Sequence, residues 1–125
     1  MFCVMGDDLT RMIIGAAIEV HKLLGPGLLE SIYEEALCLE LEMRGVLVER
    51  QVCIDVVYKG HVIKGQRIDL LVQKEVVLEL KAVEKVPDLA VAQLMSYLKA
   101  TGLKRGLLIN FNKKKLVDGV KRISL

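Results

Sequence analysis

Two otherwise apolar segments carry charged side chains at strand spacing. In "RIDLLV" the interruption is Asp69. In "ELKAV" it is Glu79, followed two residues later by Lys81. Residues two apart on a strand share a face, so Glu79 and Lys81 project together while Leu78, Leu80 and Ala82 project from the other side. Asp69 shares its face with Arg67 and Leu71. Whether Asp69 meets Glu79 depends on the connection between the strands. A three-residue loop at Gln73, Lys74 and Glu75 sets Asp69 opposite Glu79, and a two-residue loop sends them to opposite faces. If they share a face, two like charges confront each other, which is destabilising and calls for a cation. Lys81 supplies one. A hard divalent ion supplies more, since Mg²⁺ is held by one or two carboxylates plus substrate phosphates. The competing reading is an edge hairpin whose charges face water. The apolar content of "IDLLV" and "VVLEL" speaks against it, and both readings stay open at this point.

A third acid sits in "GLLESIYEEAL". At 100° per residue, Leu29, Ile32, Tyr33, Ala36, Leu37, Leu39, Leu41 and Met43 fall in one broad arc. Ser31, Glu35, Cys38 and Glu42 fall opposite. Glu30 lies inside the apolar arc near its edge, Glu34 just beyond it, and Glu40 also within it. Taken alone, Glu30 is an ordinary helix-start acid near the positive end of the dipole.

The elements that must position these groups are legible from punctuation and period. Asp7 or Asp8 can cap a first helix running to about Leu24, stopped by "GPG". A second helix runs from about Leu28 to Arg44. The period then changes to two in "VLVERQVCIDVVY", a strand with one wet face and Arg50 as its exception. "YKGH" is a turn, "HVIKGQRIDLLV" a second strand with Gly65 as a bulge candidate, and "EVVLELKAV" a third. Pro87 suits the first turn of another helix, closed by Gly102. "RGLLINF" is a fourth strand, and the tail adds a short fifth around 116–117 or 122–125. The order α-α-β-β-β-α-β gives an α/β domain spanning 1–125, a mixed sheet with helices packed on it.

Net charge is only +2 over 125 residues, yet Lys104 to Leu125 holds seven basic residues against Asp118. That end is +6 and the rest −4, so Lys113, Lys114, Lys115, Lys121 and Arg122 could meet a polyanion. No apolar run is long enough to span a bilayer, and "MFCVMGDD" lacks the basic start of a signal peptide. Cys3, Cys38 and Cys53 are odd in number and scattered, which points to a reducing cytoplasm. His21 suits the end of the first helix, and His61 a turn. "RMIIGAAIEVHKLL" is apolar almost all round, which suggests burial on more than one side, as in a homodimer.

The acid on one strand, the acid-x-lysine on the next and the helix glutamate resemble the PD-(D/E)xK nuclease superfamily. "GLLESIY" carries the G-x-x-E-x-x-Y signature of one branch, the GxxExxY family, as Gly27, Glu30 and Tyr33. "HKLLGPGLLESIYEEAL", "YKG", "RIDLLV", "ELKAV", "AQLMSYLKATG" and "GLLINF" are similar to that family's blocks in their order, from about Leu9 to Arg122. The resemblance implies a restriction-endonuclease-like sheet and a nuclease acting on nucleic acid, DNA before RNA. It implies Mg²⁺ or Mn²⁺ held by Asp69, Glu79 and the main-chain carbonyl near Leu80, with Glu30 reaching it through water or completing a second site, and Lys81 orienting the attacking water. Tyr33, Gln93 and Tyr97 would line the site; the last two resemble a Q-x-x-x-Y helix motif, and residues four apart share a helix face. Two departures stand out: Ala90 and Val91 replace the polar residues that often precede the Ala-Gln pair, and Ile68 replaces Pro. The alternative is a non-catalytic nucleic-acid-binding or oligomeric assembly protein on the same fold.

Overall fold

The computed structural model describes residues 6–125. The chain runs α1 (Gly6–Leu24), α2 (Glu30–Met43), β1 (Val48–Tyr58), β2 (His61–Val72), β3 (Val76–Lys81), α3 (Asp88–Thr101), β4 (Arg105–Asn110), a 3-10 turn η1 (Leu116–Gly119) and β5 (Val120–Ser124). One five-stranded sheet has the order β1-β2-β3-β4-β5. All pairs are antiparallel except β3 with β4, which is parallel because α3 crosses between them. The α/β class and the element order are as expected, with β5 at Val120–Ser124. Cys3 lies outside the described residues, and Cys38 and Cys53 are free thiols. Among the described residues, no helix is long and apolar enough to cross a membrane.

Adjacent residues of the central strands feed two separate cores. Leu70, Leu78, Leu80, Leu107 and Ile109 pack under α1 and α2 with Leu9, Ile13, Tyr33, Leu37 and Phe111. Val77 and Leu108 pack under α3 with Ala90, Leu94, Tyr97 and Leu98. Over β3 and β4 the alternation of period two therefore divides side chains between the two helical layers.

Several local expectations are corrected. Asp8 falls inside α1 and faces Arg11 at 3.9 Å instead of capping the helix, while the Asp7 side chain lies outside what is described. The buried face of α2 is Tyr33, Glu34, Leu37, Cys38 and Leu41; Leu29, Ile32, Leu39 and Met43, expected inside, are exposed. α1 buries Leu9, Ile13, Ala16, Ala17 and Val20 in the core it shares with α2, whereas Ile18, Leu23 and Leu24 stay exposed. Pro87 takes the N-cap of α3 with extended backbone, one position before the first turn.

β1 does not keep one wet face. Val48 packs toward α1 and α2, whereas Val52 and Ile54 pack toward α3. The change falls at Gln51, whose backbone is left-handed (φ 51°). Across the ladder, Leu70 and Ile68 divide between the same two cores, with Asp69 between them. The β1–β2 ribbon thus turns over at the level of Gln51 and Asp69. Farther out, Gly65 (φ 128°) lies where two residues of β2 oppose Asp55, the bulge expected there.

Candidate active site at the fork between β2 and β3

The loop between β2 and β3 has three residues, Gln73, Lys74 and Glu75, the first two left-handed. It aligns Val72 with Val76, Leu71 with Val77 and Leu70 with Leu78. One step further the register sets Asp69 across from Glu79, but there the ladder ends. The Asp69 amide donates to Glu79 Oε1 at 3.2 Å, and the Leu80 amide donates to Asp69 Oδ2 at 2.8 Å. Side chains have replaced the backbone partners. β2 continues beside β1 while β3 continues beside β4 as far as Lys81 and Asn110. The sheet forks, and the two carboxylates stand in the fork.

The amide and carbonyl of one strand residue point to the same edge. The Lys81 carbonyl accepts from the Phe111 amide at 2.8 Å, so Lys81 turns its backbone toward β4. Leu80 is therefore turned the other way, and its carbonyl faces the fork beside its amide. Asp69, Glu79 and the Leu80 carbonyl make a set of hard oxygen donors, a fit for Mg²⁺ or Mn²⁺, which take one or two carboxylates and complete their shell with water and phosphate. Among the described residues, no three His, Cys, Asp or Glu side chains cluster as a self-sufficient metal cage, so the fit is to this open type of site.

Two carboxylates held close in a buried fork disfavour each other's charge. Glu79 is 6% exposed. Burial, then the charge of Asp69, push its carboxyl up to about 8. Asp69 is also raised, first by burial, with Glu34 and Glu30 adding and the Leu80 amide and Lys81 opposing. Tyr97 is raised by burial and then by the charges of Glu79 and Asp69.

The G-x-x-E-x-x-Y stretch acts as one device. Gly27 holds φ 101°, a conformation that side chains disfavour. The Tyr33 hydroxyl donates to the Gly25 carbonyl and accepts from the Leu28 amide at 3.1 Å, which fastens the loop. Its ring stacks on Phe111 with centroids 4.4 Å apart. The loop so fixed delivers Glu30 to the first turn of α2, where Oε1 accepts from the Ala82 amide at 3.4 Å. Glu30 is exposed, not half-buried, yet it is tied to the residue after Lys81 and its charge is felt at Asp69. Tyr33, expected to line the site, is fully buried and positions the loop instead.

Two supporting residues were not anticipated. Glu34, 8% exposed, binds Arg50 Nη2 at 3.0 Å and Gln51 Nε2 at 2.7 Å, clamping β1 where the ribbon turns over opposite Asp69. The signal was present in the sequence: Arg50 breaks the alternation of β1, and Glu34 is the acid it reaches. Asn110, wholly buried, donates to the Val83 carbonyl at 2.8 Å and accepts from the Val83 amide at 3.1 Å. It fixes the chain just beyond Lys81. Nothing in "LLINF" distinguishes it from a strand-end amide.

Lys81 opens onto a cleft of about 420 Å³ between β2 and the start of α3, lined also by Gln66, Leu89, Gln93 and Ser96. Gln93 bonds Tyr97, and Tyr97 lies within the field of Glu79 and Asp69. Both thus stand beside the carboxylates. Ala90 and Val91 pack into the core under α3, so apolar residues suit their places. His21 donates from Nε2 to the Lys113 carbonyl at 2.7 Å, tying α1 to the basic loop instead of capping its own helix. That basic segment does not form one patch. Lys113 and Lys121 line a cleft on the α3 side, Lys114 and Lys115 line another with Ile18 and Lys22 of α1, and Arg122 a third with Thr10.

Among curated proteins, none matches this chain. Among solved structures, the crystal structure of SSO0001 is similar, with 18% identity, a TM-score of 0.46, and coverage of 93% of this chain and 77% of that one. The family profile described as the PD-(D/E)XK nuclease superfamily matches residues 7–123. With the mixed five-stranded sheet and its acid-acid-lysine fork, that match means the chain belongs to the PD-(D/E)XK nuclease superfamily.

Proposed function

We propose that the protein is a metal-dependent nuclease that hydrolyses phosphodiester bonds, with DNA as the substrate. The observation that carries this reading is the fork, where Asp69 of β2 meets Glu79 and Leu80, the two residues that precede Lys81. Asp69 and Glu79 would hold Mg²⁺ or Mn²⁺ together with that carbonyl. When bound, the ion supplies Lewis-acid stabilisation of the phosphoryl charge and a more acidic water.

The chain's own groups do the rest. The Leu80 amide holds Asp69, and the Asp69 amide holds Glu79, so neither carboxylate has to be ordered when substrate arrives. Lys81, on the floor of the open cleft, places its ammonium against the scissile phosphate, offsets its charge and orients the attacking water. Glu30 braces the chain at Ala82 and adds negative charge near Asp69. Gln93 lines the cleft and bonds Tyr97, which stands within the field of Glu79 and Asp69. The motif formed by Gly27, Glu30 and Tyr33, with its structural logic, supports membership of the GxxExxY branch.

The test is cleavage of labelled DNA and RNA by purified protein with Mg²⁺, Mn²⁺ or EDTA, alongside Asp69→Asn and Lys81→Ala. Metal-dependent DNA cleavage that falls at least a hundredfold in both variants is expected, in line with loss of a principal electrostatic group. Cleavage undiminished in the variants would show that the fork is not the catalytic centre. Salt-sensitive binding without turnover in the wild type would favour a non-catalytic binding protein.

A further inference from the structure

We infer that a second cleft, lined by Lys85, Lys113 and Lys121, is a subsite for a backbone phosphate of the substrate strand. The substrate would then leave the fork across the α3 side of the sheet. The inference rests on the nuclease reading and gives it a direction.

The parity of the strands argues it first. Val77, in the core under α3, is two residues from Glu79 and four from Lys81, so all three project toward the α3 layer. Lys121 pairs with Leu108, whose side chain belongs to that same core, whereas Arg122 pairs with Leu107 of the core under α1 and α2. Lys121 therefore shares a sheet face with Glu79 and Lys81, and Arg122 does not.

Lys85 and Lys113 join Lys121 around a cleft of about 230 Å³ whose walls include Val86, Leu108, Asn110 and Gly119. It is a built feature. The Lys113 backbone is held by His21 from the end of α1. Its side-chain stem lies so close to Gly119 that an added Cβ there would meet Lys113 Cγ at 3.1 Å. Asn110 anchors Val83, two residues before Lys85, through both backbone groups. Asp118 lines the cleft, but among the described residues none of the three lysines makes an ion pair with a carboxylate. Three unpaired ammonium groups around one concavity suit an oxyanion better than any neutral ligand.

Distance fits the same assignment. Four residues separate Lys81 from Lys85, a span of at most about 13 Å. Phosphates of one strand lie farther apart than the roughly 3.4 Å axial rise per nucleotide, so the second cleft meets a phosphate about two or three nucleotides from the scissile one. Lys114 and Lys115 face α1, away from this path.

The test is binding of labelled single-stranded DNA of about 12 nucleotides in EDTA, where no turnover occurs, over a range of salt concentrations. Lys85→Ala/Lys121→Ala should weaken binding roughly fivefold near 0.1 M salt and reduce the slope of log K against log salt by about 0.7, one phosphate contact. Asp118→Asn should strengthen binding severalfold. Lys114→Ala/Lys115→Ala should change the slope by less than half as much as the first pair. Equal losses from the two lysine pairs, or no gain from Asp118→Asn, would overturn the subsite even with cleavage intact. Wild-type protein that binds no DNA at low salt would overturn both subsite and nuclease reading. Lysine-dependent binding by a wild type that never cleaves would uphold the subsite and sink the nuclease reading.

Discussion

Replacing Glu79 by Gln should make the metal-free protein more stable in mild alkali, and the size of the gain can be worked from the fork. Glu79 Oε1 accepts from the Asp69 amide, and Gln keeps that acceptor and the side-chain shape. What it removes is the charge. Burial and the neighbouring Asp69 push the Glu79 carboxyl from its ordinary 4.5 up to about 8 in the folded chain. The native state therefore holds a proton that the unfolded state has lost. Stability from this group is complete below pH 4.5, declines as the pH rises, and is gone above about 8. The full linkage is at most about 5 kcal/mol. Because Asp69 shares the same unfavourable field, about 3 kcal/mol is the expected difference between wild type and variant. Urea unfolding in EDTA should find the two proteins within about 1 kcal/mol at pH 5, with Glu79→Gln the more stable by about 3 kcal/mol at pH 9. Adding Mg²⁺ at pH 9 should stabilise the wild type more than the variant, since only the wild type retains both carboxylates. Parallel stability curves from pH 5 to 9 would refute the claim that two carboxyls confront each other in a dry fork.

Tyr33→Phe removes the hydroxyl that ties Gly25 to Leu28, and should cost about 1–3 kcal/mol in denaturant unfolding while leaving the stack on Phe111 in place. Gly119→Ala puts a methyl 2.2 Å from the Asn110 carbonyl oxygen, so backbone must move; about 2–3 kcal/mol of thermal stability should be lost, and cleavage reduced, because Asn110 anchors the chain after Lys81. Glu34→Gln leaves Arg50 without its carboxylate and loosens the ribbon opposite Asp69. Its expected signature is faster amide exchange at Gln51 and Asp69, at a global cost of about 1–2 kcal/mol.

The parts of this molecule legible in its sequence are those governed by period and punctuation. Alternation placed β2 and β3, and Gly102 (φ 75°) ended α3 where a left-handed residue was needed. The hairpin "YKGH" closes on a left-handed Lys59 and Gly60. The meeting of Asp69 and Glu79 reduced to one integer, the loop length, which local sequence left open; Gln73 and Lys74 adopt left-handed backbone without the glycine or asparagine that would have announced it. The α2 wheel failed for a different reason. Counting apolar residues assumes that burial follows hydrophobicity, but the inner face of α2 is set by what the fork needs. Tyr33 faces inward to fasten the loop, and Glu34 to hold Arg50. Those two demands rotate the helix so that Ile32, Leu39 and Met43 turn out to water.

The same demand explains why a carboxylate pair survives inside a sheet at all. A continuous β2–β3 ladder would satisfy every amide with a carbonyl and leave Asp69 and Glu79 as buried charges with no work to do. Instead the ribbon turns over at Gln51 and Asp69, held by Glu34 from α2. The ladder opens at that point, and the carboxylates themselves accept the two amides it releases. The acids are thus part of the hydrogen bonding of the sheet as well as its open donor set. Removing either one leaves an amide at the fork without its partner. Charge-neutral variants that keep the acceptor, Asp69→Asn and Glu79→Gln, are therefore the ones that separate chemistry from folding, whereas alanine at either position disturbs both.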